Sequence, residues 1–312
     1  MMIHLDPRLG GPLLRLPILL AAMTMATSAL AMEVKVFAIG DFVPSGSGGC
    51  GGGDRGHWPD MVDAWYDHMA VHGHSKDGQY TDGNMTIQRF CDPDWIGGCQ
   101  DASYADEADA TMIATHGSDS GDHWAGTMRY PWSGNCALDG GGTADDLHVG
   151  DVDLEFLHFS SCYSADDDNL NPPGSLGVRE AMWDPVDSPA NGRYAHLMTG
   201  NHGVMYIRSK YDDDYEDFAH DAHSVGMAYA WVTNSYHADA EDCAWYDPFG
   251  WFGTCQDICP VAVSQGESNT RAWNGIQYER YNNVYADPSG NGYWYWMGYL
   301  GCDPVGETGF NP

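Results

Sequence analysis

Two apolar runs of this sequence end on residues that can do covalent chemistry. Residues 109–115 (DATMIAT) lead into Thr115-His116-Gly117, and residues 152–160 (VDLEFLHFS) lead into Ser161-Cys162-Tyr163. Both have the length and apolar density of buried parallel strands. In open α/β sheets reactive groups collect beyond the carboxyl ends of the strands. If the two runs are parallel neighbours, His116 and Cys162 emerge at one edge, 46 residues apart in sequence, which leaves room for a crossover. A thiolate attacks a carbonyl carbon, an imidazole moves the proton, and backbone N–H groups hold the developing oxyanion. Gly117 lets a substrate approach the backbone because it has no Cβ. Its N–H and that of Cys162 are the natural oxyanion donors, each contributing about 3 kcal/mol to the transition state.

Such chemistry needs Cys162 unpaired. The chain has nine cysteines, at positions 50, 91, 99, 136, 162, 243, 255, 259 and 302. In an oxidising compartment an odd count reads as four disulfides and one thiol. Cys91 and Cys99 flank a Pro/Gly-containing loop, and Cys243, Cys255 and Cys259 sit among turn residues, as bridging cysteines do. Cys162 ends a strand instead. Cys136 is its rival for the odd sulfur. A disulfide half or a buried thiol is the plain reading of Cys162, and a capping or core imidazole that of His116, one of 14 histidines.

The elements that must position the pair are legible in outline. Residues 33–39 (EVKVFAI) predict a first strand, and the Gly-rich stretch 45–53 a loop around Cys50 that lacks the Lys-Ser/Thr pair of a phosphate cradle. Residues 59–71 predict an amphipathic helix opened by Pro59, and 85–90 a short second strand. Residues 194–199 and 203–207 suggest a strand and its continuation, 213–236 a long helix, and 261–263 a strand closing the sheet. The aromatic, Gly-rich segment around Tyr293, Trp294, Tyr295, Trp296 and Tyr299 suggests a hairpin, with packing favoured over sugar stacking for its rings. Strands alternating with helices give an α/β class with a mostly parallel sheet. The expected organisation is one domain over 32–312 with a decorated edge from about 266.

Composition sets the outer limits. At 312 residues with 43% apolar content the chain can build a real core, and Gly plus Pro (39 and 16) is too low for collagen or a low-complexity polymer. Thirteen Lys plus Arg against 45 Asp plus Glu give a net charge of −32, which repels nucleic acid and anionic lipid and favours cationic partners. Residues 1–31 read as a secretory signal: Arg8 and Arg15, an apolar run at 16–26, then Ala29-Leu30-Ala31. The run is too short to span a bilayer, which takes roughly 20 residues. Cleavage is expected after Ala31, leaving a secreted or periplasmic protein that starts at Met32, has no membrane segment and keeps its disulfides.

Metal chemistry has weaker signals. His72-Gly73-His74 and His220-Asp221-Ala222-His223 are ligand types, but neither is a complete Zn²⁺ set with a water position. His237 with Cys243, Cys255 and Cys259 has the composition of a structural zinc site, although export favours disulfides for these sulfurs. Asp166, Asp167, Asp168 and Asn169, and Asp212, Asp213 and Asp214 with Glu216, offer oxygen ligands for Ca²⁺ without EF-hand spacing; solvated acidic faces explain them more simply. No G-x-S-x-G elbow supports a serine nucleophile.

A hydrophobic strand ending in His-Gly, followed by one ending in a small residue plus Cys, resembles the caspase, legumain and gingipain group of cysteine peptidases. The series ATHGSDSG, LEFLHFSSCYS, AHLMTGNHGVMYI and the helix with AYAWV is similar to an uncharacterised bacterial caspase-like family over roughly residues 105–265. The resemblance implies a three-layer α/β/α sandwich, a dyad of Cys162 and His116, and a peptide or protein substrate. It requires no cofactor, and leaves Ca²⁺ open at Asp166, Asp168, Asp212 and Asp214 because exported members of the group use it. Caspases favour Ala before the nucleophile and Arg-Gly after it, whereas here Ser161 precedes and Tyr163-Ser164 follow, so their specificity does not carry over. The acidic balance points instead to cleavage after basic residues. Two further readings stand beside the peptidase: a non-catalytic exported binding or surface protein of the same fold, and a metal-dependent hydrolase.

Overall fold

The computed structural model describes residues 31–94, 96–141, 146–170, 177–182, 194–238, 256–304 and 307. The near-continuous apolar runs pair side by side. Strands β1 (Glu33–Ala38), β2 (Ser75–Thr81), β3 (Ala110–Ala114), β7 (Phe156–Ser160), β8 (Leu197–His202), β9 (Cys259–Gly266) and β10 (Tyr293–Gly298) form a seven-stranded sheet ordered β10-β9-β8-β7-β3-β1-β2. All neighbours are parallel except β8 with β9 and β9 with β10. The protein is therefore α/β with a mostly parallel mixed sheet. Strands β3 and β7 are adjacent and in register, Ala114 opposite Ser160, so the two runs that carry His116 and Cys162 end together.

Side chains on β7 alternate between two environments, as strand geometry requires. His158 faces Trp65 of helix α1 (His57–Val71), Phe218 of α3 (Asp212–Asp221) and Tyr281. Its Nε2 meets the Tyr281 hydroxyl at 2.9 Å and its Nδ1 the Thr199 hydroxyl at 2.9 Å. Burial pushes this imidazole down to about 3, so it is a neutral core group. The next residue, Phe159, points the other way onto Trp124 at 4.6 Å. The one-turn helix α2 (Asp167–Leu170) follows β7, and helices α4 (Met227–Ser235) and α5 (Asn269–Tyr278) pack on β9. Among the described residues the face carrying Phe159 meets a second, three-stranded antiparallel sheet, β4 (Gly117–Asp119), β5 (Trp124–Trp132) and β6 (Asn135–Gly140).

Several expected elements differ. Residues 85–90 form a short 3-10 turn at Ile87–Arg89, not a strand; strand β2 lies earlier, at the sheet edge, where its polar sequence SKDGQYT tolerates solvent. The long helix expected over 213–236 breaks into α3 and α4 at residues 222–226, where Gly226 has a non-helical ψ of 135° and lies so close to Gln277 that a Cβ would be 2.3 Å from its carbonyl oxygen. Residues 203–207 leave the sheet as a loop. The aromatic segment supplies one edge strand of the main sheet and no separate hairpin, since the open edge of β9 pairs with it from Tyr293–Gly266 to Gly298–Val261. Its Trp294 packs under the Arg179 guanidinium at 4.3 Å.

Among the described cysteines three disulfides form, Cys50–Cys136, Cys91–Cys99 and Cys259–Cys302, and Cys162 is the free one. Cys243 and Cys255 lie outside the described residues, as do residues 1–30 of the segment read as a signal. The bridges fit an extracellular location. No helix among the described residues is long and apolar enough to cross a membrane.

Candidate functional site

Four chain segments meet at the carboxyl end of the sheet and enclose a cavity of about 530 Å³. The turn after β3 brings His116, the turn after β7 brings Cys162, the loop after β8 brings residues 204–207, and the segment between β1 and α1 brings residues 54–58. His116 and Cys162 thus line one cleft, as the strand order requires.

Cys162 is held by its own turn. Tyr163, the next residue, has φ 55°, an uncommon conformation for a bulky side chain, and its N–H donates to the Gly203 carbonyl at 2.8 Å. Ser161 is pinned behind it, with its hydroxyl accepting from Trp124 Nε1 at 3.1 Å. On the far side the Met205 N–H donates to the Cys162 sulfur at 3.3 Å. Burial pushes the thiol above its ordinary range; the amides of Met205, Gly117 and Cys162 and the positive charge of Arg55 oppose that rise. The Gly117 and Cys162 N–H groups thus act on the sulfur, favouring its thiolate form. Gly117 has no room for a side chain, since a Cβ would meet the Ser161 hydroxyl at 2.4 Å and Trp124 Nε1 at 2.5 Å.

His116 is half-buried between Phe42 (4.8 Å between ring centres) and Trp58 (5.1 Å). Its Nε2 donates to the Gly53 carbonyl at 2.8 Å, an assignment that follows from the acceptor. That leaves Nδ1 with the lone pair. Burial lowers this imidazole below its usual value, the Gly53 bond opposes the shift, and Arg55 adds to it. At neutral pH the pair is a thiol and a neutral imidazole.

Gly53, Arg55, Trp58 and Met205 belong to this site, and none was singled out from sequence. The signal for Arg55 was available: it follows the Gly-rich loop that follows β1, in a chain with only 13 basic residues.

The candidate metal ligands scatter. Asp166 and Asp168 come together with Glu307, each offering an oxygen within 4.8 Å of the others, and Asp166 also faces Asp167 and His202. Asp212 and Asp214 do not join them; they open α3 with Asp213, where acidic groups complement the helix dipole, and Asp214 meets His237 Nε2 at 2.7 Å. The proposed zinc set of His237, Cys243, Cys255 and Cys259 is not assembled, because Cys259 is bonded to Cys302. The two histidine motifs at 72–74 and 220–223, by contrast, meet on the helical side of the sheet.

In a comparison with known families, residues 53–298, well over half of the chain, fit the domain of unknown function DUF6345. The chain belongs to that family. No curated protein and no solved structure matches it.

Proposed function

We propose that this protein is an exported cysteine hydrolase of caspase-like α/β/α fold that cleaves peptide bonds. The observation that carries the reading is the shared cavity: a free thiol and an imidazole line it, with the Gly117 and Cys162 amides acting at the sulfur. As the substrate carbonyl enters, His116 Nδ1 takes the thiol proton while Sγ forms the C–S bond. The carbonyl electron pair moves onto oxygen, held by the two amides. Collapse breaks the C–N bond, the imidazolium returns its proton to the leaving amine, and water hydrolyses the thioester by the reverse use of the same base.

The expected preference for basic substrate residues rests on net charge, whereas Arg55 and Asp54 are the charges within the cavity. Ca²⁺ remains a candidate ligand through Asp166, Asp168 and Glu307. None of the His/Asp/Glu clusters among the described residues lines the Cys162 cavity, so a metal-dependent hydrolase has no support there. Burial of the thiol favours one rival, a non-catalytic binding protein.

The deciding experiment is cleavage of a mixed peptide library by the wild-type protein and by Cys162→Ala. The hydrolase reading expects cleavage that disappears in the variant. Cleavage that persists unchanged removes Cys162, and a wild-type protein that cleaves nothing leaves the binding reading.

A further inference from the structure

We propose that His68, His72 and His220 form a binding site for a divalent transition metal of the Zn²⁺ type, bridging helices α1 and α3. Neither helix holds a complete ligand set alone. His68 lies in the last turn of α1 and His72, four residues on, caps that helix, and His220 stands in the last turn of the neighbouring α3. Each of the three offers a ring nitrogen within 4.8 Å of the other two.

The spacing suits a metal better than a hydrogen bond. His72 Nε2 and His220 Nδ1 are 3.3 Å apart, long for a hydrogen bond between ring nitrogens. Two nitrogens bound tetrahedrally at about 2.0–2.1 Å from one zinc ion are separated by about 3.3–3.4 Å. A metal there replaces the proton that one of the two nitrogens must otherwise carry.

The third ligand is prepared in the way metal-bound histidines are. His68 Nδ1 lies 3.2 Å from the Glu216 carboxylate, four residues before His220 on α3. That carboxylate fixes the tautomer with the proton on Nδ1 and raises the basicity of the other nitrogen. His68 Nε2 is then a buried acceptor with no hydrogen-bond partner. His72 is braced from behind by His223, whose ring stacks on it at 3.9 Å.

Two further histidines of the cluster are already satisfied. The Met32 N–H donates to His74 Nδ1 at 3.0 Å, His74 Nε2 meets His223 Nε2 at 2.7 Å, and His223 Nδ1 meets the Ala219 carbonyl at 2.6 Å. Read in that direction, each donor finds an acceptor and no lone pair is left for a metal. Five histidines therefore sort into three ligands and a supporting pair.

Three imidazoles without carboxylate ligands select Zn²⁺, Cu²⁺ or Ni²⁺ over Ca²⁺ or Mg²⁺, and the tetrahedral edge favours Zn²⁺. The fourth position faces solvent, since His72 and His220 are exposed. From Trp58, which lines the Cys162 cavity, to this cluster is roughly 15–20 Å along α1. The metal's role is to clip two helices of the layer that covers the sheet, and the proposal is independent of the cysteine chemistry.

The test uses tag-free protein, treated with chelator and dialysed, then titrated with Zn²⁺ by calorimetry and with Co²⁺ by visible absorption. The expected result is one ion per chain, tetrahedral Co²⁺ bands without a thiolate charge-transfer band, and a melting temperature raised by about 5 °C at a hundredfold excess over Kd. His72→Gln and His220→Gln, at exposed positions, should each weaken binding about 100-fold, and Glu216→Gln about 10-fold. Cys162→Ser should bind as the wild type does. No stoichiometric uptake, uptake unchanged in His72→Gln/His220→Gln, or uptake lost in Cys162→Ser overturns the site. If a histidine variant fails to fold, the coordination shell of the wild-type zinc complex by X-ray absorption still decides, with three imidazole nitrogens expected and sulfur or all-oxygen ligation refuting it.

Discussion

A β-carbon added to Gly117 would sit 2.0 Å from the carbonyl oxygen of Cys162. The turns after β3 and β7 are therefore in backbone contact, and that contact keeps the Gly117 amide at the Cys162 sulfur. Gly117→Ala must push the two turns apart, at a cost of about 1–3 kcal/mol for overpacking. It should also lower kcat by 10²-fold or more through the displaced donor. Urea denaturation and turnover of a cleaved library peptide measure the two effects. A variant with full activity and unchanged stability would contradict the arrangement.

Cys162 and His116 are shifted in opposite directions by the same burial, the thiol above its ordinary 9.0 and the imidazole below its ordinary 6.5. The resting pair is neutral, so proton transfer accompanies attack. Alkylation by iodoacetamide should rise with pH to a midpoint above 9.0. The acidic limb of the kcat/KM profile should fall below pH 6.5, because His116 stays unprotonated to lower pH. His116→Gln should lower kcat about 10²- to 10⁴-fold and leave the alkylation midpoint near its wild-type position. Rapid alkylation at pH 6 would mean a preformed thiolate and a different mechanism.

Arg55 is the basic residue of the cavity, and its charge reaches both members of the pair. Its guanidinium is exposed and donates to the Asp54 main-chain carbonyl at 3.0 Å. A substrate carboxylate near the sulfur would gain a charge-assisted hydrogen bond there, whereas a basic side chain would be repelled. Arg55→Ala should raise the alkylation midpoint of Cys162. If the cleaved sequences carry Asp or Glu beside the scissile bond, the same change should lower kcat/KM for them by roughly 10-fold or more. A library dominated by Lys or Arg, unaffected by Arg55→Ala, would restore net charge as the determinant.

The disulfide between Cys50 and Cys136 closes 86 residues and fastens the Gly-rich loop to strand β6. That loop ends at Gly53, whose carbonyl orients His116. The double variant Cys50→Ser/Cys136→Ser should lose about 4 kcal/mol of stability by loop-closure entropy. Its kcat should fall further than its Cys162 alkylation rate, since the base loses its anchor while the sulfur keeps its turn. Equal losses in both would place the bridge in general stability alone.

What the sequence disclosed follows from burial. Strands β3 and β7 are interior and apolar, so their ends, with His116 and Cys162, were legible together with their adjacency. Strand β2 escaped because an edge strand need not be apolar, and SKDGQYT carries no pattern that separates it from a loop. The sheet of β4, β5 and β6 escaped because its signal is a few Trp, Met and Leu residues in polar surroundings. Between α3 and α4, Gly226 packs against Gln277 with no room for a Cβ, a tertiary contact across 51 positions that no local pattern records. The meeting of His72 with His220 likewise needs the packing of α1 on α3, which no local spacing records.

Glu155 offers a test of stability at the opposite end of β7 from the site. Its carboxyl shares a hydrogen bond with Asp109, lies near the charge of Asp153, and is pushed up to about 9 chiefly by burial. Asp109, raised as well, accepts the Glu33 N–H and so joins the entry of β1 to the entry of β7. A carboxyl whose folded pKa exceeds its ordinary 4.5 contributes its full stability below that pH and loses it as pH rises toward about 9. Glutamine keeps a donor for Asp109 and cannot ionise. In chelator-containing buffer, Glu155→Gln should match the wild type near pH 4 and exceed it at pH 8 by roughly 2 kcal/mol, less than the whole shift because the side chain is only half-buried. Denaturant midpoints at the two pH values measure the difference. A variant weaker than the wild type at pH 8 would show that the ionised carboxylate is held by a cation or donor that stabilises it, and the sign of the linkage would reverse.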